Sequence, residues 1–195
     1  AENHLSLLEG KLGEKVFSPL LSVEQTPIGD GPFCAPFDDE GVPCGNRLLI
    51  DRGVPVDYVY DLATAKRAGK KSTGNGSLMD GNIRPAIGSM TVHCGDKSLE
   101  ELFEHIGYGL YLTSLAGIGT GLNPQSGAYS LQSSGFAIKN GKIDRSVSLV
   151  TVAGNIMTDF ADVTAVGNDE KQTYYGISTP SLAIGSLSVS GVKKA

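Results

Sequence analysis

Histidine is the residue type most often found in hydrolytic metal sites, and this chain has three: His4, His93 and His105. The zinc pattern H-E-x-x-H is absent. The stretch that ends at His105 resembles the inverted pattern H-x-x-E-H, but Glu101 stands where that pattern requires a histidine. We therefore predict that His105 lies on the solvated flank of a helix, near the negative C-terminal end of that helix.

The three cysteines, Cys34, Cys44 and Cys94, are odd in number and irregularly spaced. This spacing indicates neither a disulfide framework nor a C-x-x-C metal site, and it predicts reduced thiols. Cys94 with His93 or His105 would be a cysteine–histidine nucleophile pair, whereas the burial habit of free cysteine predicts a small buried thiol. His93 and Cys94 are adjacent, so in a strand they point to opposite faces and cannot share one ion.

Three consecutive carboxylates, Asp38, Asp39 and Glu40, precede Gly41. Hard cations bind clustered carboxylates, but the calcium-loop spacing D-x-[DN]-x-[DN]-G is absent here. Because Asp and Gly are common turn residues, we predict a solvated turn at this position.

The glycine and serine motifs predict neither nucleotide binding nor a serine nucleophile. The glycines between Gly117 and Gly121 lack the G-x-x-x-x-G-K-[ST] pattern, and Asn123-Pro124 follows them, so we predict that they do not open a helix. No G-x-S-x-G motif is present, and residues 133–135 are predicted to form a turn.

The composition places these residues in one turn-rich domain. The chain has 195 residues with 26 glycines and 9 prolines, which predicts a single domain with many short strands. Its formal net charge of −5 disfavours nucleic-acid binding as the main function. The chain shows neither an apolar run long enough to span a membrane nor the opening pattern of a signal peptide. We predict a mainly β (β-rich α+β) fold, with antiparallel sheets in a sandwich or barrel-like domain and two or three inserted helices.

Local patterns assign the elements of this fold. Ser98 and Glu101 form a capping box before an apolar face that predicts a helix to residue 106, and Asn140-Gly141 predicts a tight hairpin. Further helices are predicted at 63–68 and 155–166. Strands are predicted at 15–17, 48–50, 54–60, 109–115, 146–153 and 181–189, and loops at 26–45 and 70–84.

An ordered series of short motifs carries more information than any single residue. The motifs are Pro36-Phe-Asp-Asp-Glu-Gly41, Asp61-Leu-Ala-Thr-Ala-Lys66, Ser72-Thr-Gly-Asn-Gly76, Gly95-Asp-Lys-Ser-Leu-Glu-Glu-Leu102, Gly127-Ala-Tyr-Ser130, Asn140-Gly-Lys142, Val150-Thr-Val-Ala-Gly-Asn155, Val166-Gly-Asn-Asp169 and Ser178-Thr-Pro-Ser-Leu182. In this order they closely resemble the C-terminal half of the TldD/PmbA family, also called modulators of DNA gyrase.

The resemblance implies a longer cytoplasmic protein, of which residues 1–195 are the C-terminal β-rich domain and whose α+β N-terminal half is not in this chain. In that family the TldD branch is a zinc peptidase. Its ligands are an H-E-x-x-x-H helix in the N-terminal half and a cysteine shortly after the Gly-Asn-Asp motif. The PmbA branch, also called TldE, is its partner subunit and lacks those ligands. Together the two are linked to peptide maturation and to the degradation of unfolded peptides.

This chain has the landmark Gly167-Asn168-Asp169, but residues 170–180 contain no cysteine. The resemblance therefore implies a non-catalytic, PmbA/TldE-like subunit of a TldD/TldE-type metallopeptidase. No catalytic, cofactor-binding or metal-ligating residue is assigned in this domain, and zinc is expected only in a TldD-like partner. The implied partners are that catalytic subunit, a peptide substrate and a second copy of the chain. Direct binding of nucleic acid or of a membrane is not expected.

Two alternatives stay open at this point. One is an active metallopeptidase with a divergent site around Asp38, Asp39 and Glu40, and the other is a DNA gyrase-modulating binding protein. The segments 109–115 and 181–189 are predicted to be sheet interior. In the functional interpretation, one of them lines a cleft shared with the TldD-like subunit.

Overall fold

The computed structural model describes residues 6–29, 33–173 and 176–191. Its helices are α1 (Leu62–Ala68), α2 (Leu99–Ile106), α3 (Ile118–Gly121) and α4 (Ile156–Ala161). Its strands are β1 (Val23–Gln25), β2 (Arg47–Asp51), β3 (Val54–Pro55), β4 (Gly76–Met79), β5 (Asn82–Pro85), β6 (Met90–Val92), β7 (Tyr108–Ala116), β8 (Ala128–Lys139), β9 (Lys142–Asn155), β10 (Val163–Val166), β11 (Lys171–Gln172), β12 (Ile177–Thr179), β13 (Leu182–Ile184) and β14 (Ser188–Ser190).

The first sheet draws its strands from both ends of the chain. Its order is β11-β12-β6-β1-β2-β3. β1 pairs antiparallel with β2 and with β6, whereas β12 pairs with β6 in parallel, with Ile177 opposite Met90. The last part of the chain therefore completes a sheet that one of the first strands begins.

The second sheet has the order β14-β9-β8-β7 and is antiparallel throughout. The β8–β9 turn has Asn140 at φ 52° and Gly141 at φ 72°, the left-handed pair that a two-residue type I′ turn requires. The predicted hairpin is therefore confirmed. The prediction of sheet interior for residues 109–115 is wrong, because β7 is an edge strand and is half-buried only at Leu110–Leu112.

Two β-bulges, one on β7 and one on β9, lie opposite the same part of β8 in the second sheet. β7 has an extra residue, Thr113, between Leu112 and Ser114, and β9 has an extra residue before Val150. Both irregularities lie opposite the middle of β8. On β9 the extra residue places Leu149 at φ 56° and leaves its side chain 73% exposed. Such bulges increase the local twist and bend the strands that carry them.

Helix α2 begins and ends as its sequence predicts. The Ser98 side chain accepts the N–H of Glu101, and the Glu101 carboxylate accepts the N–H of Ser98 at 2.7 Å. The buried face presents Leu102 and Phe103. The Phe103 ring packs edge-on against the ring of Tyr111 on β7, with 5.1 Å between the ring centroids. The helix therefore covers the first part of the second sheet.

Strand β10 contributes to both apolar clusters of the core. It pairs antiparallel with β13, which brings Ala165 beside Ala183. The first cluster contains Phe17, Leu21, Val163 and Val166, and the second contains Leu102, Ala165 and Ala183.

The predicted strand at 15–17 is not formed. The N–H groups of Val16 and Phe17 both donate to the carbonyl of Gly53, at 3.1 and 3.0 Å, so this segment closes on the β2–β3 turn and joins no ladder. The strand predicted at 54–60 is limited to β3. Beyond it, the N–H of Tyr60 donates to a threonine side chain instead of a neighbouring strand.

Two longer predictions are each wrong over part of their length. The loop predicted at 70–84 contains the β4–β5 hairpin, which turns at Asp80-Gly81 with φ 51° and 76°. The helix predicted at 155–166 ends at Ala161, and β10 follows it. The β-branched residues of β10 favour a strand. Its pairing with β13 accompanies burial of Val163 and Val166 in the core, whereas Thr164 is exposed.

Further corrections concern the last strand and two short motifs. The strand predicted at 181–189 is divided into β13 and β14, because the N–H groups of Gly185 and Ser186 donate to Asp162 at 3.0 and 3.1 Å. Residues 133–135 lie within β8 and not in a turn. The glycine run that was not expected to open a helix forms α3, a single turn.

The mainly β, α+β class is confirmed. The sheets are open, and the described part of the chain forms no closed barrel. It includes four helices, against the two or three that the sequence predicted. Among the described residues, every helix is too short and too polar to cross a membrane.

Replacing Leu102 by Ala should destabilise the domain strongly. Leu102 is 2% exposed and packs with Ala165 and Ala183, so we expect a loss of about 2–5 kcal/mol in the free energy of unfolding. Urea denaturation measures it. Leu20→Ala is the control, because Leu20 is 49% exposed, and its midpoint should change little. Equal midpoints for the two variants would contradict the position of α2 in the core.

Candidate functional site

Two motif-bearing loops lie against each other at the start of α2. We call residues 94–98 and 166–170 the paired loops. The N–H of Gly95 donates to the carbonyl of Gly167 at 2.8 Å, and the N–H of Asn168 donates to that of Lys97 at 2.8 Å. These bonds form a short parallel bridge. Motifs that lie about seventy residues apart in sequence therefore form one site.

The paired loops leave no room for a side chain at Gly95. A Cβ built on Gly95 would overlap the carbonyl oxygen of Val166. A Cβ on Gly167 would meet the Asp169 carboxylate and the Leu102 side chain. Gly95 is therefore needed for the close approach of the two backbones, and a side chain at Gly167 would displace Asp169 or Leu102.

Asp169 ties a third segment to the paired loops. Its carboxylate accepts the N–H of Ser181 at 2.9 Å and the Ser181 hydroxyl at 2.7 Å, and Lys171 Nζ lies 3.8 Å away. Burial alone would raise the pKa of Asp169, but the hydrogen bonds from Ser181, a backbone hydrogen bond and the charge of Lys171 together hold that pKa below its ordinary value. Asp169 is therefore an ionised brace between the loop after β10 and the segment before β13.

Cys94 lies beside Glu170, the residue after the Gly-Asn-Asp landmark, although the two are 76 positions apart in sequence. Its Sγ is 3.9 Å from Oε2 of Glu170, and the side chain is exposed, so the prediction of a buried thiol is wrong. Partial desolvation and the Glu170 carboxylate raise the pKa of Cys94. No local sequence pattern indicates this proximity, because it depends on the pairing of two distant loops.

The histidines do not converge. His105 is exposed on α2, as predicted, and its Nε2 lies 3.1 Å from the Thr164 hydroxyl. His93 Nε2 lies 3.2 Å from a Glu24 carboxylate oxygen, away from the Cys94–Glu170 contact. His4 lies outside the described residues. Across residues 6–29, 33–173 and 176–191, no three His, Cys, Asp or Glu side chains come together as a metal site.

The acidic cluster at 38–40 binds backbone N–H groups. Asp38 accepts from Glu40, Val42 and Gly76 at 2.7–3.0 Å, which fixes its own turn against the start of β4. Asp39 accepts the N–H of Leu78 at 2.7 Å, and Glu40 accepts the N–H of Leu62 at the start of α1 at 2.7 Å. The predicted turn is present, and its carboxylates join three segments of the chain.

A buried polar network lies under this turn. Gln25 and Asn75 are 1% and 5% exposed, and the Asn75 amide donates to Gln25 Oε1 at 2.8 Å and to the carbonyl of Ala86 at 2.7 Å. Thr73 donates to Asn75 Oδ1 at 2.7 Å. Sequence reasoning missed this network, although the motif Ser72–Gly76 contains two of its members. The network fixes the segment before β4 to β1.

Replacing Gly95 by Ala should separate the paired loops. The added methyl group overlaps the backbone of Val166, and we expect a loss of about 1–3 kcal/mol, the range for overpacked sites. Gly45→Ala is the matched control. A Cβ at Gly45 meets nothing within 4 Å, so its denaturation midpoint should stay the same or rise slightly. A Gly95→Ala midpoint equal to that of Gly45→Ala would contradict the close approach.

Asp169→Asn should destabilise the domain in a pH-dependent way. Near neutral pH we expect a loss of about 1–3 kcal/mol, because a charged acceptor of two hydrogen bonds is replaced. The pKa of Asp169 is lowered in the folded state, so this stabilisation is complete above the ordinary aspartate pKa of about 3.9 and is lost as the pH falls further.

Urea denaturation at several pH values between neutral and acid measures the effect. The difference between wild type and Asp169→Asn should shrink as the pH falls below the ordinary aspartate range. Asp80→Asn in the exposed β4–β5 turn is the control and should differ little from wild type near neutral pH. A difference that stays constant over the whole pH range would contradict an ionised Asp169.

Comparison with known proteins places the whole fold in a family. Residues 1–191 match the family model described as the PmbA/TldA metallopeptidase C-terminal domain. The chain is 29% identical over 187 residues to the metalloprotease PmbA of Escherichia coli O157:H7, which covers 95% of this chain and 39% of that protein. It is 26% identical over 206 residues to a metalloprotease TldD homologue of Buchnera aphidicola subsp. Acyrthosiphon pisum, which covers 95% of this chain and 42% of that protein.

Among solved structures, a protein of Thermotoga maritima described as a modulator of a DNA gyrase has a TM-score of 0.89 and 35% identity. The match covers 97% of this chain and 43% of that one. The chain thus spans about two fifths of the length of the relatives that it matches. Because the family model covers nearly all of the sequence, this chain belongs to the PmbA/TldD metallopeptidase family, as its C-terminal domain.

Proposed function

We propose that this chain is the C-terminal domain of a PmbA/TldE-like, non-catalytic subunit of a TldD/TldE-type metallopeptidase that acts in peptide maturation or degradation. The loop after Asp169 carries this proposal. In the TldD branch that loop is expected to supply a zinc-binding thiolate, whereas residues 170–180 of this chain contain no cysteine. The landmark carboxylate itself is used to hold Ser181.

The thiol beside this loop does not replace the missing ligand. Partial desolvation and the facing Glu170 carboxylate raise the pKa of the Cys94 thiol and so disfavour the thiolate that a metal needs. A zinc site needs about four converging ligands, three of them from protein even where a water completes the set. The neighbouring His93 contacts Glu24 instead. These contacts support a domain that leaves zinc binding to its partner.

The acidic turn gives little support to a divergent catalytic site. Asp38, Asp39 and Glu40 each accept backbone N–H groups, which ties them to the structure of their own loops. A general base or metal ligand needs lone pairs directed at a substrate or ion. We therefore assign these carboxylates a bracing role.

The proposed partner and location follow from the same assignment. A non-catalytic subunit functions by assembly, so the partner is a TldD-like catalytic subunit and the substrate is a peptide. We place this complex in the cytoplasm. All three cysteines are free, as reduced thiols are in that compartment.

The full-length protein should hold no zinc of its own and should cleave no peptide alone. Mixed with the TldD-like subunit of the same organism, it should co-elute in size-exclusion chromatography and raise the cleavage of an unstructured peptide. Metal analysis after dialysis against a weak chelator and a peptide-cleavage assay measure both results. The physical reason is that the described residues of this domain bring no converging set of zinc ligands together.

Cys94→Ser in the full-length protein is the matched control. Zinc content and stimulated cleavage should equal those of wild type, because the thiol is assigned no ligand role. Zinc-dependent cleavage by the wild-type protein alone would overturn the non-catalytic assignment. A protein that neither co-elutes with the TldD-like subunit nor changes its activity would overturn the partner role.

A further inference from the structure

Strand β7 presents an unprotected sheet edge. Among the described residues, no strand pairs with its outer side. Tyr108–Ala116 contains no charged residue and no proline, the two features that most often block an exposed edge. The bulge at Thr113 leaves Tyr108–Leu112 as a regular five-residue edge.

The opposite margin of the same sheet is shorter and less regular. β14 covers residues 151–153 of β9. The remainder of β9 carries charges at Lys142, Asp144 and Arg145, and its bulge twists the strand near Leu149. Charges and bulges both disfavour pairing with another chain. β14 itself offers an outer side of only three residues, Ser188–Ser190, which is also unpaired among the described residues. The longer regular, uncharged edge of this sheet is therefore that of β7.

We propose that the outer edge of Tyr108–Leu112 pairs antiparallel with the corresponding edge strand of the TldD-like subunit, an inference that rests on the proposed function. The TldD homologue matches 95% of this chain, so a TldD-like subunit contains a counterpart of this domain. A two-fold rotation that brings two such domains together sets equivalent edges antiparallel, and main-chain hydrogen bonds then join the sheets.

The charge distribution fits this occupant. The chain carries a net charge of −5, so repulsion of another chain by its carboxylates is weakest where it presents none. Such a place is β7, and Lys139 lies opposite Tyr108 on the neighbouring strand. Tyr108, at one end of this edge, is 68% exposed and supplies an apolar contact, and Leu115, beyond the bulge, is 49% exposed. Contacts from these side chains would add buried surface area to the main-chain hydrogen bonds. Main-chain hydrogen bonds alone give little specificity.

Hydrogen–deuterium exchange of the full-length protein measures directly whether the outward-facing N–H groups of this edge are paired. Outward-facing N–H groups of an unpaired edge exchange with solvent, and pairing slows them. We expect peptides that cover 108–116 to exchange at least tenfold more slowly after addition of the TldD-like subunit of the same organism. Peptides that cover 142–150 are the internal control and should be unchanged.

A pair of lysine variants tests the same edge by affinity. Leu110→Lys places a charge at the centre of the regular edge and should weaken binding of the TldD-like subunit at least tenfold. Leu20→Lys adds the same charge at an exposed leucine outside the second sheet and should bind like wild type. Unchanged exchange in the other strands of the free Leu110→Lys protein shows that the variant is folded.

The outcomes separate this inference from the proposed function. A complex that forms and is active, but without slower exchange at 108–116, overturns the edge pairing and leaves the proposed function standing. No complex with wild type overturns the proposed function and, with it, this occupant. Slower exchange at 108–116 that comes only from self-association, or only from an added unstructured peptide, assigns the edge to that occupant and overturns the proposal.

Discussion

The backbone bridge between the paired loops is the contact on which the rest of the domain depends. It sets the start of α2 beside the end of β10, and that position brings Leu102 to Ala165 and Ala183. The bridge forms only because Gly95 has no side chain. Asp169 then attaches the segment before β13 to the same place. Two short stretches of backbone thereby organise the second apolar cluster.

Carboxylate side chains stabilise many of the loops in this glycine-rich chain by accepting backbone hydrogen bonds. Long loops expose many backbone N–H groups that no helix or sheet satisfies, and an ionised carboxylate is a strong acceptor for them. Six carboxylates each accept a backbone N–H from a loop, a strand or the start of a helix. They are Asp38, Asp39, Glu40, Asp61, Asp162 and Asp169. Acidic clusters that suggest cation sites in the sequence are accounted for in this way.

Local sequence patterns correctly predicted those elements whose defining hydrogen bonds join residues close together in the sequence. The capping box of α2 and the Asn-Gly turn of β8–β9 are examples, because their hydrogen bonds close within four positions. The division at Ala161 between α4 and β10 was not predictable, since β10 is a strand only where β13 pairs with it. The Cys94–Glu170 contact and the open margin at β7 likewise depend on partners distant in sequence.

The parallel pairing of β12 with β6 has a consequence for protein synthesis. Ser89, just before β6, donates to the carbonyl of Gly176, 87 residues later. A nascent chain can pair β1, β2 and β6 early, but one side of β6 and both apolar clusters stay incomplete until β10, β12 and β13 leave the ribosome. Contacts this distant in sequence close slowly. The apolar residues near the start of the domain, such as Phe17 and Leu21, therefore lack their packing partners until most of the domain has been synthesised.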